Sequence, residues 1–127
     1  MRTSVRVTAQ GRPYARLQRA LATGNPNIAL AAAAELPRVP LPEALALCLL
    51  LREDRERFER AVVRWHARFC MEVSGVGASE AQLALSALRS IARPEYEAGA
   101  RALIALLERR GLAEAAGVAE QWLERRL

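Results

Sequence analysis

The sequence predicts an all-α protein: a compact bundle of about seven short helices arranged as helical hairpins, led by an extended basic N-terminal arm. Three observations carry this. Alanine and leucine, both strong helix formers, dominate a chain that is 52% hydrophobic but only 5% aromatic. β-branched residues, the usual strand builders, are sparse. Glycine, proline and capping side chains cut the 127 residues into helix-length pieces. A chain of this length suits one domain that buries roughly two thirds of its unfolded surface.

Residues 1–12 read as the arm and 13–127 as a single all-helical domain. In the arm, Val5 and Val7 alternate with Ser4, Arg6 and Thr8, as in an extended segment, and Gly11 ends it. Pro13 suits the first turn of a helix reaching Ala22. In "TGNP" Asn25 can cap, and Pro26 can open, a second helix that stops before Pro37. After the stiff "PRVPLP", Pro42 opens a third helix through about Arg52, apolar all round and therefore expected to be central. Asp54 is a natural cap for a fourth helix to about Val73. "SGVGAS" breaks it, and Ser79 with Gln82 fits a capping box for a fifth helix to Ala92. Pro94 starts a sixth, which Gly111 ends after Arg109 and Arg110. A seventh runs from about Leu112 to Arg126.

Two stretches share one plan. "RLQRALATGNPNIALAAAAEL" and "ALIALLERRGLAEAAGVAEQWL" each join a Leu-bearing helix, a Gly turn and an Ala-rich helix. In that order of parts they resemble helical hairpins of the tetratricopeptide or HEAT kind. The spacing of the Gly turns fits neither repeat, and the tetratricopeptide Trp-Leu-Gly-Tyr signature is missing. A bundle of hairpins accounts for the pattern without a repeat, and no family is assigned.

Charge is unevenly placed. Arg2, Arg6, Arg12, Arg16 and Arg19 occupy the first twenty residues without one carboxylate. From Leu21 onward fourteen arginines face fourteen acidic residues, so the arm region carries the whole formal +5. Every basic residue is arginine, which fits the codon usage of a GC-rich bacterial genome better than a special use of guanidinium chemistry, because arginine is spread everywhere.

Most enzyme classes lack their parts. Without lysine there is no P-loop, Schiff-base lysine or kinase ATP lysine in its usual form. "GVG" at Gly75–Gly77 is therefore a loop. The single histidine, His66, and the single aspartate, Asp54, sit on one helix about 18 Å apart along its axis. That separation rules out a Ser-His-Asp triad within the chain, and no G-x-S-x-G supports a Ser-His-Glu version. The longest apolar run, Leu45–Leu51, falls far short of the roughly 18 residues that span a bilayer, and no apolar segment follows the basic start as in a secretion signal. Cys48 and Cys70 form neither a CxxC nor a disulfide framework. A cytoplasmic location is expected.

Two stripes of the fourth helix could carry chemistry. Glu59, His66 and Cys70 share one narrow stripe, and His66 with Cys70 are i,i+4 neighbours, half of a zinc site or a thiolate–imidazolium pair. The competing role is a helix boundary, where cysteine behaves as a small apolar residue; that role is favoured, and no metal or other cofactor is expected. Phe58, Val62, Trp65 and Phe69 form a core face. Across from it Arg57, Arg60, Arg64 and Arg68 form a row that could follow a phosphate backbone, or be a solvated face balanced by Glu53, Glu56 and Glu72.

The expected function is a non-enzymatic helical binding module for protein–protein interaction or self-association, through surfaces such as Ala31–Ala34 and Ala113–Ala119 where these are left uncovered. The alternative is sequence-nonspecific nucleic-acid binding through Arg2, Arg6, Arg12, Arg16 and Arg19, joined by the fourth-helix arginines. Tyr14 is the lone aromatic there, so stacking on bases has little support. A further reading docks Val5 and Val7 as a strand on a partner. A metal- or thiol-dependent enzyme is the remote third option.

Overall fold

In the computed structural model, residues 2–127 are described, with side chains from Gly11 onward. Seven helices and no strand occur among them: α1 (Arg2–Ala22), α2 (Pro26–Ala33), α3 (Leu41–Leu50), α4 (Arg55–Glu72), α5 (Ala78–Ser90), α6 (Tyr96–Arg109) and α7 (Ala113–Glu124). The all-α fold built from hairpins is thus observed. The backbone clusters into two compact units, residues 1–40 and 41–127.

In the first unit α1 and α2 pack as a hairpin, with Leu17, Ala20, Ala29 and Ala32 buried. The turn between them forms as its residues dictate. Asn25 Oδ1 accepts from the backbone N–H groups of Asn27 (2.9 Å) and Ile28 (3.3 Å), and Pro26 sits where a missing N–H costs nothing. The expected arm over residues 1–12 falls, through Gln10, outside the described side chains; α1 carries the bounds Arg2–Ala22, with Pro13 inside it.

The second unit is a closed ring of five helices. Each of α3 to α7 packs on the next, and α7 returns to α3. Short connections make the consecutive helices antiparallel neighbours. Contact with both α4 and α7 explains the all-round apolar character of α3, where Leu45, Leu47, Cys48 and Leu49 are buried. On α4 the expected core face is the observed one: Phe58, Val62, Trp65 and Phe69 are all buried. Trp65 stacks on Phe69 with centroids 5.3 Å apart and donates its Nε1–H to the Leu41 carbonyl at 3.0 Å.

Helix ends follow local chemistry with two corrections. Asp54 caps α4, accepting from the Arg57 N–H. Gly111, at φ +74°, closes α6: the Leu112 N–H reaches the Leu107 carbonyl (2.9 Å) and the Gly111 N–H that of Glu108 (3.0 Å), a Schellman pairing that favours glycine. The Ser79–Gln82 capping box does not form. Gly77 takes the cap position in an extended conformation without a side-chain bond, which leaves Ser79 inside the first turn, where its hydroxyl cannot cap. Nor does Pro94 start α6. The helix begins at Tyr96, because the Ile91–Glu95 turn gives its Ile91 and Arg93 carbonyls to the Arg52 side chain.

Gly99 lies where α6 comes close to α5. A Cβ there would lie 1.6 Å from Ser90 Oγ, 2.8 Å from Ser90 Cβ and 2.9 Å from the Ala87 carbonyl oxygen. Alanine would favour the helix by about 1 kcal/mol, but the backbone oxygen cannot rotate away. Overpacking therefore prevails, and Gly99→Ala is expected to cost a net 1–2 kcal/mol or so. Urea unfolding checks this: Ser90→Gly in the same chain should recover only part of the loss, because the clash with Ala87 remains.

Candidate functional site

The stripe of α4 that carries Glu59, His66 and Cys70 faces α5, and each side chain has its own engagement. Glu59 pairs with Arg89 of α5 at 2.5 Å. The Arg89 hydrogen bond holds the Glu59 carboxyl below its ordinary range, and Glu59 raises the guanidinium in turn. His66 Nε2 lies 2.7 Å from the Ala81 carbonyl oxygen. A carbonyl only accepts, so Nε2 carries the proton and is open neither to a metal nor as a base. Cys70 Sγ is 3.7 Å from that same nitrogen and finds no proton acceptor in it. No group of three or more His, Cys, Asp or Glu side chains converges among the described residues. Burial pushes the Cys48 thiol up to about 12, the direction that suppresses thiolate chemistry.

The arginine row on α4 splits. Arg57 pairs with Asp54 at 2.7 Å and Arg68 with Glu72 at 2.8 Å. Arg60 and Arg64 are exposed, with no ion pair among the described residues. Val63 (50% exposed) and Met71 (86% exposed) share that outward face, together with exposed Ala67. At about 100° per residue, Arg60, Ala67 and Met71 fall within some 40° of one another, opposite the buried face.

A complementary surface lies on the α6/α7 side of the same unit. Ile104, Ala105, Leu123 and Leu127 line a groove of about 390 Å³ together with Arg101, Glu108, Glu120 and Glu124. Arg101 is held by Glu97 of its own helix at 2.7 Å. Glu108, Glu120 and Glu124 have no ion pair among the described residues and are exposed, while Leu127 is 69% exposed. Of the α7 alanines Ala115, Ala116 and Ala119 are buried and Ala113 is exposed; on α2, Ala32 is buried while Ala31 and Ala34 are exposed.

In the first unit, Arg12, Arg16 and Arg19 are exposed on α1. Arg16 pairs with Glu35. The side chains of Arg2, Arg6, Val5 and Val7 lie outside the described residues.

Sequence reasoning missed Arg52. Only 17% of its side chain is exposed. It donates to the Ile91 carbonyl (2.5 Å) and to that of Arg93 (3.4 Å), and its guanidinium lies 5.1 Å from the Tyr96 ring and 5.8 Å from the Trp122 ring. Tyr96 meets Trp122 edge-on at 5.4 Å, and Arg126 covers Trp122 at 4.3 Å. One side chain thereby joins the end of α3 to the α5–α6 turn, α6 and α7. Apart from Glu53, its partners lie about forty positions or more away, so no local pattern announces them.

Two carboxylates tie stability to pH. The Arg57 side chain, helped by its backbone N–H, holds Asp54 below its ordinary range, as Arg89 holds Glu59. A lowered folded value means stability that is complete above the unfolded value, near 4, and is lost as pH falls through the folded value. Thermal unfolding followed from pH 7 to pH 2 should therefore show the melting temperature falling only below about pH 4. Asp54→Asn with Glu59→Gln should flatten that fall; a decline that begins well above it would mean other groups govern.

The chain matches no family model, no curated protein and no solved structure. No helix among the described residues is long and apolar enough to cross a membrane.

Proposed function

We propose that this chain is a non-enzymatic helical binding module that works by protein–protein contact, and that a second copy of itself is the partner its surfaces fit. The observation that carries this reading is the groove between α6 and α7, with apolar Ile104, Leu123 and Leu127 beside Glu108, Glu120 and Glu124. The outward face of α4 is its counterpart in charge and character: Val63 and Met71 are exposed beside Arg60 and Arg64. Burying Met71 and Leu127 supplies the non-directional drive. The arginine–carboxylate pairs fix orientation and suppress wrong partners.

The two surfaces are different patches of the same unit, so the contact is head-to-tail and builds a ring or an open chain rather than a two-fold dimer. The non-enzymatic half of the reading draws support from the titratable groups: Glu59 is paired with Arg89, and burial holds the Cys48 thiol neutral.

Two charge-reversed proteins test the reading. Arg60→Glu with Arg64→Glu makes both surfaces acidic; Glu108→Arg with Glu120→Arg makes both basic. Each variant alone should sediment as a monomer, and a mixture of the two should associate again, because every contact is then complementary. Association of either variant alone as in the parent, or a mixture that stays monomeric, overturns this pairing of surfaces.

A further inference from the structure

The two units differ in charge. Residues 1–40 hold six arginines against a single carboxylate, Glu35, whereas residues 41–127 hold thirteen arginines against thirteen carboxylates. The whole formal excess of +5 thus belongs to the two-helix unit, and the five-helix ring is balanced. Within the basic unit the described arginines of α1 are aligned. Arg12, Arg16 and Arg19, spaced four and three apart, fall within an arc of about 60° at 100° per residue and extend about 10 Å along the axis. All three are exposed. Arg16 meets Glu35 with both side chains about half exposed, at 51% and 47%, a solvent-screened pair that an incoming anion can displace.

From this we infer that the α1 face bearing Arg12, Arg16 and Arg19 binds the phosphate backbone of nucleic acid without regard to base sequence. Guanidinium groups take phosphate oxygens bidentately. The row matches about three phosphate steps of one strand, at about 3.4 Å of duplex axis each. Tyr14 sits on the side of α1 opposite the row, two positions past Arg12 at about 100° per residue. It is therefore badly placed to stack on a base held by these arginines, and single-strand stacking is not the mode. The row also lacks the aromatic or aliphatic anchor that a protein partner would bury at its centre. Contacts to phosphate alone position a protein on nucleic acid and read no sequence. The inference is independent of self-association, which uses α4 and the α6/α7 groove.

Fluorescence anisotropy of the full chain with a labelled DNA duplex, over salt from about 50 to 200 mM, tests it. The parent should bind, with log affinity falling linearly against log salt. Arg12→Gln/Arg16→Gln/Arg19→Gln should lower the slope by about three, at about 0.9 for each phosphate no longer neutralised. The corresponding triple lysine variant should keep it, which separates removal of charge from failure to fold. Arg55→Gln/Arg93→Gln, exposed in the balanced unit and outside the self-association surfaces, should leave the slope unchanged. The inference is overturned by any of four results: no binding at the lowest salt, an unchanged slope in the triple glutamine variant, an equal loss in the Arg55/Arg93 variant, or polyglutamate competing as well as unlabelled duplex. The last would assign the face to an acidic protein.

Discussion

Trp65→Ala is expected to cost about 3–5 kcal/mol of folding stability, the range for removing a large aromatic from a packed core. Three losses add up in one place. The indole is 1% exposed, so nearly all of its apolar area returns to water or becomes a cavity. Its stack on Phe69, with rings 12° from parallel, disappears. The Leu41 carbonyl loses the Nε1–H donor at 3.0 Å. Total stabilities of about 5–15 kcal/mol are usual, so this one change consumes a large share. Trp65→Phe keeps much of the packing and isolates the hydrogen bond, at about 1–3 kcal/mol. Urea unfolding followed by far-UV circular dichroism measures both; a loss below about 1 kcal/mol for the alanine variant would mean that α3 and α4 are not packed as described.

Arg52→Ala should cost about 2–4 kcal/mol, unusually much for an arginine, because its contacts are charge-assisted and mostly shielded. A hydrogen bond from a charged donor contributes about 1.5–3 kcal/mol, and a cation over an aromatic ring adds about 0.5–2. The Ile91 carbonyl sits 2.5 Å from Nε and the Tyr96 ring 5.1 Å from the guanidinium carbon, so one truncation removes both. The pair with Glu53, whose side chain is 85% exposed, adds little. Glu53→Ala is the matched control and should fall within about 0.5 kcal/mol of the parent. Arg52→Lys should recover less than half of the loss, since a compact ammonium cannot serve the turn carbonyl and the ring with the geometry of a planar fork. Trp122 depends on this arrangement: its Nε1 has no acceptor among the described residues, so Arg52, Arg126 and Tyr96 hold it through the ring. Its fluorescence should change in the Arg52 variants even where the fold persists.

What could be read from the sequence was what depends on neighbours within a turn or two. Asn25–Pro26, Asp54 and Gly111 act on backbone groups no more than five positions away, and the Phe58–Val62–Trp65–Phe69 face is a matter of helical period alone. Gly77 displaced Ser79 as the cap of α5 because a glycine can end an extended loop without a side-chain bond, an option that side-chain patterns do not advertise. Arg52 and Gly99 were illegible for another reason. The roles of both are set by segments that meet only after folding, the Ile91–Glu95 turn for one and Ala87 with Ser90 for the other.

The α4 stripe shows the same division at the level of a site. Helical spacing aligned Glu59, His66 and Cys70, and the fold keeps them aligned toward α5. Yet Arg89 and the Ala81 carbonyl engage the first two, and neither partner could be chosen from α4 alone. The arginine row likewise came apart only when Asp54 and Glu72 were seen to claim its ends. Charge partition was half visible: an arginine-rich start was plain, but the balance of everything after Pro40 acquires meaning only once that boundary separates two units.

Sedimentation equilibrium of the unmodified chain, across a hundredfold range of concentration and at low and high salt, tests most directly whether it works through its own surfaces. The account predicts an average mass that climbs above the 14.0 kDa of one chain as concentration rises, and drops back as salt screens the arginine–carboxylate pairs. A mass that stays at that of a single chain throughout would contradict it.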